Sequence, residues 1–123
     1  IYRWKKSVYS MSLQKLIGSI ENRWRLLVDL IVDLRERNIH IPEKFITSVT
    51  CCRSLINSFK YSFNKGSYNA QYSTLLSQTI KELLEVESGL IVFVANVVGE
   101  DYALEWSKKL NGVPLIQGGV VFE

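Results

Sequence analysis

Seven apolar residues, Leu13, Ile17, Ile20, Trp24, Leu27, Ile31 and Leu34, follow one another at alternating intervals of four and three. A strand turns over at every residue and would scatter this set across both faces of a sheet. A helix gathers it into one stripe. The chain is thereby committed to a long helix, expected from residue 12 to 37, whose stripe must be buried against a neighbour. Leu26, Val28, Leu30 and Val32 fall off the stripe, so the second half of this helix is apolar on most sides and needs more than one partner element. Glu21, Arg25, Asp29, Asp33 and Arg37 recur at every fourth position and read as a solvated charged row. Its opposite-charge steps are worth ~0.2–0.5 kcal/mol each, offset in part by the like-charged Asp29–Asp33 step. Asn38 suits the left-handed conformation that ends a helix, and Pro42 biases the residue before it away from helix.

The same rhythm recurs downstream. Phe45, Val49, Cys52, Ile56, Phe59 and Phe63 predict a second helix over 42–63, followed by the loop Asn64-Lys65-Gly66-Ser67. Leu76, Ile80, Leu83, Glu87, Leu90, Val94 and Val97 predict a third over 69–98. Its last part, 89–98, is β-branched enough to suit a strand. It reads as helix because the periodic stretch before it leads straight in. Glu87 interrupts an apolar row, and if buried it requires a partner such as Arg23, Arg53 or Trp24. A fourth helix, 100–111, buries Tyr102, Trp106 and Leu110. It starts on Glu100 and Asp101 and ends on Lys108 and Lys109, matching the helix dipole at both ends. Short connections make the expected fold all-α, an antiparallel four-helix bundle over 12–112. A basic, aromatic arm (1–11) precedes it, and an extended apolar tail (113–123) follows. The only methionine is Met11, which leaves open a natural start there.

With 123 residues, 47% hydrophobic and 22% charged, the chain is expected to be one soluble domain with a real core. The longest apolar run, 90–95, is too short for a membrane span, and no secretory signal is visible. Two adjacent cysteines, Cys51 and Cys52, make no disulfide framework, which points to a reducing, cytoplasmic compartment. Residues 1–65 hold 12 Lys and Arg against 5 Asp and Glu, whereas 66–123 hold 3 against 7. Interleaved helices need not turn that asymmetry into a surface patch.

The stretches ENRWRLLVDLIVDLRERNIHIP, RSLIN, EVESGL and VVGEDYALEWSKKL resemble a family of small archaeal proteins classed as a domain of unknown function. Trp24, Leu27, Asp33, Arg35 and Pro42 carry the resemblance, with Arg53, Asn57, Gly99, Glu100, Tyr102 and Trp106; it spans about 21–110. It implies an all-helical domain in a cytoplasmic, archaeal setting, and assigns no activity and no site residue.

Catalysis calls for a nucleophile with its base, paired acids or a metal cluster, and phosphate chemistry for a glycine-rich loop. None is visible, and His40 is the only histidine. The expectation is a non-catalytic interaction or assembly module without cofactor or metal, a homo-oligomer or the binder of a protein partner. Leu115, Ile116, Val121 and Phe122 of the tail are the expected contact residues. The alternative is nucleic-acid binding. Arg3, Lys5 and Lys6 stand among Tyr2, Trp4 and Tyr9 in the arm, and Arg23, Arg25, Arg35 and Arg37 follow on the first helix. One contiguous basic face would favour nucleic acid, and scattered ion pairs would favour a scaffold.

Overall fold

A computed structural model describes the backbone of residues 2–65 and 70–113 and the side chains of 13–65 and 73–113. Four helices make up the described chain: α1 (Tyr2–Glu36), α2 (Glu43–Asn64), α3 (Ala70–Val97) and α4 (Glu100–Asn111). The stretch 89–97 is helix, as its lead-in implied, and Val98 already belongs to the turn. α1 starts ten residues before the expected position. Residues 2–12 contain neither proline nor glycine, so nothing in them halts a helix that the next three turns have nucleated. The expected arm thus forms the first turns of α1. The side chains of Arg3, Lys5 and Lys6 lie outside those described, as does the whole of the tail beyond residue 113.

α1 and α3 each end for a local reason. At the end of α1, Asn38 takes φ 62°. Its amide donates to the Arg35 carbonyl at 2.9 Å and that of Ile39 to the Leu34 carbonyl at 3.0 Å, a Schellman closure that satisfies two of the last carbonyls. Pro42 then stands as the N-cap of α2. Gly99 does double duty between α3 and α4. Its amide reaches back to the Val94 carbonyl and its carbonyl receives the Ala103 amide, at φ 144° and ψ 161°. That region is essentially closed to residues with a Cβ.

The chain folds as an antiparallel four-helix bundle. α1 packs on all three other helices, as its surplus of apolar residues requires. Leu13, Ile20, Leu27, Leu30 and Leu34 have no exposed surface. They meet Cys52, Ile56 and Phe59 of α2, Leu83, Leu90 and Val94 of α3, and Ala103, Trp106 and Leu110 of α4 in one core. One apolar member of the expected stripes leaves it: Val97, the last residue of α3, is half exposed. Trp24, Phe45, Phe63, Ile80 and Tyr102 are only partly buried and pack against the core from its edge, Trp24 at the α1–α2 seam. Trp24 carries an indole N–H that needs an acceptor, and at the seam it donates to the Val49 carbonyl at 2.9 Å. α2 and α3 approach closely at Gly89, where a methyl group would lie 2.8 Å from Phe45 Cε1. Phe45 uses that space to pack against Phe93, with ring centroids 5.8 Å apart.

Gly99→Ala is expected to destabilise the fold by about 1–3 kcal/mol, the strain of holding an L-residue in that backbone region. Urea denaturation measures it, and a midpoint equal to wild type would show that the α3–α4 reversal tolerates a Cβ.

Candidate functional site

Among the described residues, one pair of opposite charges is buried, between α1 and α3. Arg23 of α1 and Glu87 of α3 are 7% and 6% exposed. The contact is bidentate: Nη2 donates to Oε1 at 2.5 Å and Nε to Oε2 at 2.9 Å. The remaining terminal nitrogen, Nη1, donates to the carbonyl of Val113 at 3.0 Å, so the same guanidinium holds the chain as it leaves α4. This resolves the demand that Glu87 made in the sequence. It also removes Arg23 from the nucleic-acid candidates, because a guanidinium spent on a buried carboxylate and a carbonyl is not presented to phosphates. The pair forms the floor of a groove between α3 and α4, whose walls include Leu84, Ser88, Ile91, Val92, Ser107 and Asn111. Leu84 is 41% exposed and Val92 61%. Leu104, 55% exposed, shares its side of α4 with Ser107 and Asn111 at helical spacings of three and seven.

The charged row of α1 is less solvated than its spacing implied. Glu21 has a side chain only 15% exposed and joins α1 to α2. It accepts from Lys60 at 3.0 Å and Arg53 at 3.5 Å, with Arg25 at 4.0 Å. The hydrogen bond from Lys60, aided by the positive charges of Lys60, Arg25 and Arg53, holds its carboxyl below the usual range. Asp33 joins α1 to α4, accepting from the Tyr102 hydroxyl and from Arg37 Nε at 3.1 Å. Those bonds, Tyr102's foremost, depress its pKa. The Arg37 guanidinium also lies 4.6 Å over the Tyr102 ring. Arg25 turns to Glu21, and no Arg25–Asp29 ion pair forms among the described residues.

Trp24 and its neighbours form a second groove, between α1 and α2. Val28, Val32, Ile46 and Val49 line it, with Arg35 and Arg53 at its sides. The Arg53 guanidinium sits 4.9 Å over the Trp24 ring. In the sequence Arg35 reads as a basic candidate and Arg53 as one possible partner of Glu87; that Arg53 and Lys60 reach Glu21 is not legible there. They fall on α2, and only packing brings them to α1. The arginines of the nucleic-acid alternative are placed as follows: Arg23 is buried on Glu87, Arg25 is near Glu21, Arg37 is on Asp33, and Arg35 is beside the Trp24 groove. Leu115, Ile116, Val121 and Phe122 lie outside the described residues.

The described residues contain no grouping of three or more His, Cys, Asp or Glu that could hold a metal ion, and His40 is exposed in the α1–α2 connection. Cys51 and Cys52 are both free thiols; Cys51 is exposed and Cys52 buried. Burial pushes the Cys52 thiol up to about 11, so it stays protonated and packs as a small hydrophobe. No described helix is long and apolar enough to cross a membrane.

Four antiparallel helices closed over one core, with their few buried charges paired, define the class: a four-helical bundle domain. Residues 20–121 match the DUF2096 N-terminal four-helical bundle domain, and the chain belongs to that family, a domain of unknown function. The match runs past the expected boundary at 112 and takes in Leu115, Ile116 and Val121. No curated protein and no solved structure matches the chain.

Arg23→Ala or Glu87→Ala alone should cost about 3–5 kcal/mol, because each strands a buried charge. The double change Arg23→Met with Glu87→Leu should recover most of that loss. Equilibrium denaturation of the singles and the double decides it, and additive losses would show that the two side chains act independently. For the cysteines, iodoacetamide at mildly alkaline pH should label Cys51 in the native protein. Cys52 should be labelled only after unfolding. Mass spectrometry of digested protein reads both sites, and equal labelling in the native state would place Cys52 at the surface.

Proposed function

We propose that this domain is a non-catalytic helical interaction or assembly module, acting in the cytoplasm of an archaeal cell. The observation that supports this best is the α3–α4 groove, where Leu84 and Val92, each more than two-fifths exposed, line the groove with Ile91. Leu104, also more than two-fifths exposed, stands on the side of α4 that Ser107 and Asn111 turn to the groove. A monomeric bundle gains nothing by holding these large aliphatic side chains in water, whereas a partner that covers them removes that area from solvent. The dispersal of Arg23, Arg25 and Arg37 into ion pairs favours this reading over nucleic-acid binding, since paired guanidinia have less to offer phosphates.

Self-association is the form of this proposal that is tested directly. Sedimentation velocity at micromolar concentration is expected to give a concentration-dependent dimer. Val92→Asp combined with Leu104→Asp should return it to monomer by placing charge in an apolar contact, with an unchanged circular-dichroism spectrum. A wild-type monomer at every concentration removes the homomeric form. A dimer that survives both substitutions moves the interface elsewhere.

A further inference from the structure

We propose that the groove between α1 and α2 is the seat of an acidic amphipathic helix from a partner protein. The proposal deepens the interaction-module reading and rests on it. It concerns a different groove from the α3–α4 strip.

The lining is aliphatic. Val28, Val32, Ile46 and Val49 face the groove, and Val32 is 47% exposed. A trough of this kind between two helices accepts the apolar face of a third, whose anchors recur at i, i+3 or i+4, and i+7. The borders are cationic. Arg35 and Arg53 line the groove, and Arg25 and Lys60 stand by Glu21 at the end where Arg53 also reaches. Three of these four cations share the single carboxylate of Glu21, and Arg35 has no ion-pair partner among the described residues. The groove therefore keeps a positive excess. Asp29 and Glu36 are exposed acids of α1, but neither lines it. Positive charge beside an apolar trough attracts an acidic amphipathic segment and turns away a basic one.

Nucleic acid fits these surroundings less well. Trp24 is the one aromatic residue lining the groove among the described residues, its N–H is held by the Val49 carbonyl, and Arg53 covers one face of its ring. The aliphatic walls suit leucine or isoleucine anchors and offer a nucleobase no second ring to stack on.

The test follows the Trp24 indole N–H resonance of the intact, nitrogen-15-labelled chain, assigned with Trp24→Phe. Three probes are titrated: a helical peptide with leucines at i, i+4 and i+7 and glutamates elsewhere, the same peptide with lysines for glutamates, and polyuridylate. The acidic peptide should move the resonance saturably, and more weakly as salt is raised from about 0.05 to about 0.5 M. Arg35→Glu should lower its affinity by about tenfold or more, since it sets like charge against like. Arg35 is exposed and unpaired, so this variant keeps the fold, as circular dichroism will confirm. Val32→Asp should weaken binding similarly. Val92→Asp with Leu104→Asp should leave peptide binding intact, which separates failure of this groove from failure of the α3–α4 strip. The proposal is overturned if the acidic peptide gives no saturable shift, if the lysine peptide binds as tightly, or if polyuridylate moves the resonance where the acidic peptide does not.

Discussion

The bundle depends on the pairing of Arg23 with Glu87. A carboxylate and a guanidinium are both taken out of water in the middle of an apolar core, and neither is tolerable there without the other. The bidentate contact fixes the rotation of α1 about its axis relative to α3, because a small turn of either helix would break both hydrogen bonds. The third nitrogen of Arg23 then holds the Val113 carbonyl, so one side chain ties α1, α3 and the chain leaving α4. Such a pair adds little net stability over an apolar packing of the same volume.

Around that pair the polar contacts are placed where helices meet. Glu21 draws α2 to α1 through Lys60 and Arg53, and Asp33 draws α4 to α1 through Tyr102. Trp24 adds its N–H to the α1–α2 seam. These are partly solvated interactions of modest individual strength. Their effect is cumulative in register, since each is satisfied only when α1 stands at one height against its neighbour. The apolar core contributes most of the stability, and the polar seams decide how the helices are set.

The surfaces left over have different chemistry. Between α3 and α4 the exposed aliphatic Leu84 and Val92 stand beside the uncharged polar Ser88 and Asn111, over a neutralised pair. Between α1 and α2 the aliphatic floor is flanked by cations that outnumber the single acid among them. A bundle with two such grooves has room for two kinds of contact, self-association through one and an acidic partner through the other.

Helix count and the inner stripe of α1 were legible in the sequence, because spacing of three and four admits one local structure. Asn38 was legible as a stop, since few residues accept positive φ. The need of Glu87 for a partner was legible too, because an apolar row leaves a carboxylate no solvent. Choosing Arg23 over Arg53 for that partner took the tertiary structure: both are single cations at plausible positions, and only the heights of α1 and α2 against α3 distinguish them. The same holds for Trp24, which the stripe placed in the core and packing moved to a seam where its N–H finds an acceptor. The start of α1 was misplaced because aromatic and basic residues suggested an arm, although no residue there stops a helix. Spacing along one chain determines which face of a helix is apolar. Which charges meet, and which apolar residues remain uncovered, depends on how separate helices are set against one another, and that is decided only when the core closes.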